Sequence, residues 1–275
     1  RRPLVPSTSL FRCVVGAGIA ALKAIWHRGA VDADGKTGDG AGIHVEIPQE
    51  FFADAITSTG DRPSDGPIAV GQVFLPKTDF VAQEQCRQII ETQILAFGYG
   101  IYGWRQVPID TSCIGEKANA TRPEIEQILI RNLPGKTEEA FERDLYVIRR
   151  RIEKAAIAAQ VDLYICSLSC RSLIYKGMFL AEHLTEFYPD LLDERFVSRF
   201  AIYHQRYSTN TFPTWKLAQP FRRLAHNGEI NTISGNINWM KSHETRLSHP
   251  DLDPWMADIK PLVQAGGSDT ATLDN

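Results

Sequence analysis

The chain has few of the features that mark zinc proteins, disulfide-rich proteins or membrane proteins. Its five cysteines form no Cys-x-x-Cys pair, and its seven histidines show no HxxxH or HExxH spacing. This set predicts neither a zinc ribbon nor a disulfide framework. No apolar run approaches the roughly 18–20 residues of a membrane span, and the basic N-terminus is too broken for a signal peptide. We therefore expect a cytoplasmic protein without a resident metal.

The chain also lacks a large excess of positive or negative charge. The net charge is −3 and the pI is near 6.2, so nothing favours nucleic acid or an anionic membrane as a partner. Hydrophobic residues make up 43% of the 275 residues, which suffices for a sizeable globular core.

Hydrophobic periodicity predicts interleaved strands and helices. The expected strands are 43–47, 68–75, 101–104, 125–130, 161–168, 172–175 and 196–206; the expected helices are 14–29, 78–97, 137–158 and 231–247, with a last turn near Ser268. Cys86 and Cys166 fit as small buried hydrophobes, and the run Arg149-Arg150-Arg151 fits a solvated helix face. Several consecutive strands could pair directly, so an α+β fold with packed sheets and a parallel α/β sheet both remain open.

Two glycine motifs have alternative interpretations. Val14-Val-Gly-Ala-Gly-Ile-Ala-Ala-Leu22 resembles a dinucleotide-binding turn, which needs a strand before Gly16 and an acidic strand end about twenty residues later. Only a stub precedes Gly16, and a glycine-rich loop stands downstream, so a flavin or nicotinamide oxidoreductase is the weaker hypothesis. Thr37-Gly-Asp-Gly-Ala-Gly-Ile43 lacks the Lys-Ser/Thr of a phosphate loop. It fits a tight turn that could form one wall of a site.

The segment from Arg199 to Asn231 combines groups suited to an amino acid and an oxyanion. Arg206 follows a strand-like run and offers a planar, permanently charged fork for a carboxylate. Asn227 and Gly228 place a side-chain amide beside a backbone N–H, which together can stabilise the oxyanion of acyl transfer. The chain contains no convincing nucleophile to accompany them.

Five motifs in order resemble one family. The similarity covers about residues 12–275 and lies in Trp26-His-Arg-Gly-Ala30, Thr37-Gly-Asp-Gly-Ala-Gly-Ile43, His204-Gln-Arg-Tyr-Ser-Thr-Asn-Thr211, His226-Asn-Gly-Glu-Ile230 and Gly267-Ser-Asp-Thr270. Together these motifs resemble the glutaminase domain at the start of the glutamate synthase large subunit, a class II glutamine amidotransferase. The resemblance implies an α+β fold of the Ntn-hydrolase type, a four-layer αββα sandwich, here incomplete at both ends.

The resemblance also implies roles for individual residues. Arg206 would hold the α-carboxylate of glutamine and Asp269 its α-ammonium, while Thr209 would line the pocket. Asn227 and Gly228 would form the oxyanion hole. Arg28 and Gly29 would shape the wall near the nucleophile. An isolated Arg–Asp salt bridge beside an Asn-Gly turn would be the simpler explanation of these residues without the surrounding motif order.

One departure from the family concerns the nucleophile. The family uses a processed N-terminal cysteine whose own α-amine acts as the base, whereas residues 1–11 match nothing in it. Cys13 is expected just before the first helix and is internal, so it has no free amine. We therefore expect a fragment that is inactive alone, with a partial amidotransferase domain at 12–275. A non-catalytic glutamine-binding relative is the alternative.

Cofactors and partners follow from the same resemblance. Ammonia released here would reach a synthase domain of the parent chain, which adds it to 2-oxoglutarate and reduces the imine to glutamate. FMN and an iron–sulfur cluster would belong to that absent part, and none to this segment. The electron donor would be NADPH or NADH through a small subunit, or ferredoxin.

Overall fold

The fold is taken from a computed structural model that describes residues 7–206, 211–226, 228–264 and 266–275. Within these residues the strands form two sheets. The strands are β1 (Ala41–Glu46), β2 (Ala69–Leu75), β3 (Gly100–Gln106), β4 (Glu124–Arg131), β5 (Tyr164–Ser169), β6 (Ser172–Gly177) and β7 (Ala201–Gln205). One sheet has the order β6-β1-β7 and the other β3-β4-β2-β5. Every strand pairing in these two sheets is antiparallel, so the α+β alternative is confirmed and the parallel sheet is wrong.

The helices of the described residues occupy the outer layers and the connections. They are α1 (Ser7–Ala24), α2 (Gln49–Ser58), α3 (Phe80–Ala96), α4 (Glu116–Ala120), α5 (Glu138–Ala159), α6 (Leu184–Phe187), α7 (Ile233–Glu244), α8 (Met256–Ile259) and α9 (Asp269–Asp274). The helix starts predicted at Asp79 and at Thr137 are confirmed, since each side chain accepts a hydrogen bond from a backbone N–H three residues on. No helix in these ranges is long and apolar enough to cross a membrane.

The fully buried strand β2 shows how the layers are stacked. Ala69, Val73 and Leu75 pack into a core with α3 and α5. The alternate residues Val70 and Phe74 join the core that also contains residues of the three-stranded sheet. Because side chains alternate across a strand, the four-stranded sheet lies between its helices and the second sheet. This is the packed-sheet sandwich expected from the sequence.

The first helix differs from its prediction. It begins at Ser7 rather than near residue 14, and a 3-10 turn at Trp26–Arg28 follows it. Gly16 and Gly18 therefore lie inside a helix, where a dinucleotide turn cannot form, because such a turn needs its glycines between a strand and a helix N-terminus. Gly18 serves packing instead, since an added Cβ would lie 2.6 Å from the Cβ of Ala201. Cys13, which we expected just before the helix, also lies within α1.

The arginine run in α5 also differs from its prediction. Arg149 and Arg150 are buried, at 4% and 2% exposure. Arg150 donates to the backbone oxygens of Ile259 and Pro261, at 3.2 and 2.6 Å. Arg149 pairs with Glu153 at 2.6 Å. Arg149 thus has its acceptor within α5, whereas the later chain supplies two acceptors for Arg150, which the local sequence pattern cannot show.

The two cysteines expected in the core lie there. Cys86 in α3 and Cys166 in β5 are 0% and 2% exposed. The loop predicted at 59–67 runs along the surface between α2 and β2, with most of its residues exposed or half-buried. Helix α2 itself has no counterpart among the predicted elements.

Candidate functional site

Arg206 follows directly after β7, and its contacts join the His204 motif to the glycine-rich turn at Asp39 and Gly40. Its backbone N–H donates to the oxygen of Gly40 at 2.6 Å, and its Nε lies 3.4 Å from Oδ2 of Asp39. The φ angle of Arg206 is 105°, in the region that favours glycine, and such strain costs about 1–3 kcal/mol. The contact with Asp39 uses the inner nitrogen of the guanidinium. The outer pair of nitrogens therefore retains the geometry for a bidentate carboxylate.

Asp39 is a site residue that the sequence interpretation missed. Its side chain is only 10% exposed, and its Oδ1 accepts a hydrogen bond from the N–H of Ala30 at 3.1 Å. Burial raises the pKa of Asp39, while the Ala30 N–H and the charge of Arg206 oppose that rise. The carboxyl thus joins the His-Arg-Gly turn to Arg206. The sequence had indicated only that the glycine-rich turn, which contains Asp39, could form one wall of a site.

A cleft of about 200 Å³ lies between these motifs, with Gly29, Asp39, Gly40 and Gln205 in its lining. One ordered water needs about 10–15 Å³, so the cleft has room for a small polar ligand. Gln205 is 7% exposed and donates from Nε2 to the backbone oxygens of Ile25 and Trp26. Within the described ranges, Gln205 Oε1 and Asp39 Oδ2 accept no hydrogen bond although both are buried. Asp39 Oδ2 still has its ion pair with Arg206. Buried polar atoms are normally satisfied, so Gln205 Oε1 marks a place for a donor.

The His226 motif is held by a buried glutamine. Gln219 is fully buried, and its Oε1 accepts from the N–H of His226 at 2.9 Å while its Nε2 donates to the His226 oxygen. The backbone of Gln219 also packs on β1, since an added Cβ at Gly42 would lie 2.7 Å from the Gln219 oxygen. Gly228 has a φ of 87°, and its N–H donates to Nδ1 of His226 at 3.1 Å.

Asp269 joins the last two motifs. It lies in the first turn of α9, which Ser268 caps, and its Oδ2 accepts from the N–H of Ile230 at 2.9 Å. Arg206 and Asp269 form no ion pair with each other; the guanidinium pairs with Asp39. The two charges expected at the ends of a zwitterion are thus not joined to each other by a salt bridge.

Of the remaining predicted site residues, the structure describes Arg28 and Gly29. Arg28 is exposed at the end of the 3-10 turn. An added Cβ at Gly29 would lie 3.2 Å from Gln205 Nε2, so glycine allows the turn to approach the cleft floor. Thr209 and Asn227 lie outside the described residues. Burial lowers the pKa of His204, whose Nδ1 lies 3.0 Å from the backbone oxygen of Arg206.

The described lining of the cleft contains no cysteine. Cys13 is exposed on α1, and the other four are buried. Burial raises the pKa of Cys86 and Cys113 to about 11 and that of Cys166 to about 12. Buried thiols with raised pKa are poor nucleophiles.

The cysteines also do not suit the cofactors that the resemblance implies for the parent protein. An iron–sulfur cluster is held by several converging cysteine thiolates. In the described ranges, the possible metal-ligand group contains a single cysteine, Cys113. The glycines of α1 cannot cradle a phosphate, since they lie within the helix.

One family matches the chain over nearly its whole length. Residues 8–275 match the family of class-II glutamine amidotransferases. Because this match covers nearly the whole chain, the chain belongs to that family, whose fold is of the Ntn-hydrolase type.

The similar curated proteins are glutamate synthases. The chain is 69% identical over 264 residues to the glutamate synthase [NADPH] large chain of Azospirillum brasilense. The aligned region covers 96% of this chain and 17% of that protein. It is 43% identical to the chloroplastic ferredoxin-dependent glutamate synthase of Spinacia oleracea, with 95% and 16% covered, and 41% identical to the glutamate synthase [NADPH] large chain of Bacillus subtilis, with 95% and 17% covered. The chain thus corresponds to the amidotransferase part of these enzymes and spans about a sixth of their length.

Proposed function

We propose that this chain binds L-glutamine and that the parent protein hydrolyses it to supply ammonia for glutamate formation from 2-oxoglutarate. The observation that supports this most is the junction at Asp39. It brings the His-Arg-Gly turn, the glycine-rich turn and Arg206 together beside a cleft where the buried Gln205 Oε1 accepts no hydrogen bond. The similarity to glutamate synthases gives the chemistry for which such a cleft is suited.

Each end of glutamine has a candidate partner. Arg206 would bind the α-carboxylate through its outer nitrogens and keep Nε on Asp39. Asp269 would bind the α-ammonium, and its hydrogen bond to Ile230 would keep it oriented. Thr209 would line the pocket, and Arg28 and Gly29 would form the wall near the reacting carbonyl. Opposite charges at the two ends would select a free amino acid over a peptide-linked glutamine.

The oxyanion hole requires one exchange of hydrogen bonds. The N–H of Gly228 donates to His226 Nδ1, so it must turn from the ring to the amide oxygen of the substrate. The glycine makes that rotation inexpensive, because it has no Cβ to restrict φ and ψ. The side-chain amide of Asn227 would be the second donor. Two such donors stabilise a tetrahedral intermediate more than they stabilise the substrate carbonyl.

The nucleophile would belong to the parent protein. There a cysteine thiolate attacks the amide carbon, the C–N bond breaks, ammonia leaves, and water releases glutamate from the thioester. This 275-residue chain would bind glutamine without hydrolysing it, since its described cysteines are buried or lie on α1.

The other parts of the parent protein complete the proposal. The synthase domain would hold FMN and an iron–sulfur cluster, and reduction would come from NADPH or NADH through a small subunit, or from ferredoxin. We place residues 1–7, which precede the family match, outside the amidotransferase domain and the protein in the cytoplasm.

Calorimetric titration of the purified chain with L-glutamine tests the binding. We expect one site, and Arg206→Ala should weaken it by roughly 10- to 100-fold, since a charge-assisted hydrogen bond is worth about 1.5–3 kcal/mol. Arg171→Ala is the matched control, because Arg171 forms ion pairs with Glu138 and Glu139 on the surface. Equal glutamine affinity in Arg206→Ala and in the unsubstituted 275-residue chain would contradict the proposal, as would no binding by the unsubstituted chain.

A further inference from the structure

A second cluster of reactive side chains lies where the 3-10 turn Thr111–Cys113 meets α6, next to Glu182 in the lining of the cleft. One possible ligand atom each from Cys113, His183 and Glu186 lies within 4.8 Å of the others. His183 Nδ1 and Glu186 Oε2 are 2.8 Å apart, which follows from their spacing of three residues on one helical face. Cys113 Sγ comes from a segment about seventy residues earlier in the chain.

The two segments are joined by more than side chains. The N–H of Asp110 donates to the oxygen of Phe187 at 3.1 Å, so the cysteine turn is attached to the end of α6 by the backbone. Cys113 is 4% exposed, and its Sγ donates to the Asp110 oxygen at 3.2 Å. A ligand that is buried and attached in this way loses little conformational freedom when it binds a metal.

We propose that Cys113, His183 and Glu186 bind a zinc ion, with water as the fourth ligand. Thiolate, imidazole and carboxylate together are a zinc-type set, because calcium and magnesium prefer oxygen ligands alone. Zinc–ligand bonds of about 2.0–2.3 Å place tetrahedral ligand atoms roughly 3.3–3.8 Å apart. The three ligand atoms already lie within 4.8 Å of one another, and the 2.8 Å contact between His183 Nδ1 and Glu186 Oε2 has to lengthen, which rotation of the half-exposed Glu186 side chain can supply.

The surroundings of His183 support the site independently. A histidine that binds a metal through one nitrogen usually donates its other N–H to a carboxylate, which fixes the ring. His183 Nε2 faces Oε1 of Glu182 at 3.8 Å, so this carboxylate is already close to where it is needed. Sequence spacing could not indicate the site, because its ligands come from two separate segments.

Cobalt titration of the metal-free chain tests the site without any activity measurement. We expect one Co²⁺ per chain, a thiolate-to-cobalt charge-transfer band, and its loss when Zn²⁺ is added. Cys113→Ser should abolish the band, whereas Cys13→Ser should keep it, because Cys13 is an exposed cysteine on α1. The proposal would be overturned if the unsubstituted 275-residue chain showed no charge-transfer band, or if the band survived in a folded Cys113→Ser variant.

Variants of the exposed acids keep the test decisive if Cys113→Ser does not fold. Glu186→Gln should weaken Zn²⁺ binding as a lost ligand does. Glu182→Gln should weaken it by about 10- to 100-fold, as for other carboxylates behind a histidine ligand. Glu139→Gln is the control, since Glu139 is 77% exposed and pairs with Arg171. Equal Zn²⁺ affinities in Glu186→Gln and Glu139→Gln would also overturn the proposal.

Discussion

Two glycines in α1 allow a matched test of why this helix carries a Gly-x-Gly motif. Gly16 is exposed, and an added Cβ there meets nothing within 4 Å. Gly18 is buried, and an added Cβ would lie 2.6 Å from Ala201 Cβ, which is fixed to β7 and can move only with the strand. The same substitution to alanine should therefore stabilise the chain at Gly16 but not at Gly18.

The magnitudes follow from two terms. Replacing glycine by alanine inside a helix stabilises a protein by about 1 kcal/mol, and this term is common to both positions. Overpacking at Gly18 costs about 1–3 kcal/mol. Gly16→Ala should thus raise the free energy of unfolding by about 1 kcal/mol, whereas Gly18→Ala should leave it unchanged or lower it by up to about 2 kcal/mol. The difference between the two variants isolates the contact with Ala201.

Urea unfolding followed by circular dichroism measures both variants under one condition. An unchanged m-value with a shifted midpoint would show that only stability has changed. The reasoning would be refuted if Gly16→Ala destabilised the chain as much as Gly18→Ala. That result would mean that both glycines need a non-helical backbone, as in a nucleotide-binding turn.

Three further predictions concern buried polar groups. Arg150→Ala should lower the free energy of unfolding by about 3–5 kcal/mol, because it removes one cationic partner of Glu153 and leaves two buried carbonyls without a donor. The more exposed Arg143→Ala should lower it by less than about 1 kcal/mol in the same unfolding assay. Burial lowers the pKa of His44 from 6.5 to about 4. The unfolded chain therefore binds the extra proton first, and up to about 3 kcal/mol of stability should be lost as pH falls from 6.5 to 4. Gln219→Glu should lower the free energy of unfolding by about 3 kcal/mol or more, because a carboxylate cannot donate to the His226 oxygen. The same urea unfolding assay measures this loss.

Each of these has a specific contradicting result. Equal losses in Arg150→Ala and Arg143→Ala would mean that the α5 cation is solvated after all. His44→Phe should flatten the acid limb of the stability profile, and an unchanged limb would assign it to other groups. Wild-type stability in Gln219→Glu would show that Gln219 does not hold the His226 segment.

The sequence predicted elements well where periodicity alone decides them. Strand β2 alternates between two cores, and Asp79 and Thr137 cap their helices as their residue types require. Periodicity does not identify the partner of a face. Arg150 was assigned to solvent because the segment that binds it comes more than a hundred residues later.

The candidate site was predicted in part for a similar reason. Motif order indicated the residues that would contact glutamine, and their roles stay predictions. Asp39 was overlooked because its importance comes from its contacts with Ala30 and Arg206, which are distant in sequence. Likewise, the unsatisfied acceptor of Gln205 becomes apparent only when the first helix and β7 are seen together.

The most direct test of the account is a crystal structure of this chain with L-glutamine bound. We predict the α-carboxylate on the outer nitrogens of Arg206, the α-ammonium on Asp269, and the amide oxygen on the N–H of Gly228, which has turned from His226. Asp39 should remain on Nε of Arg206. Glutamine bound elsewhere, or bound with its carboxylate away from Arg206, would contradict the proposed site.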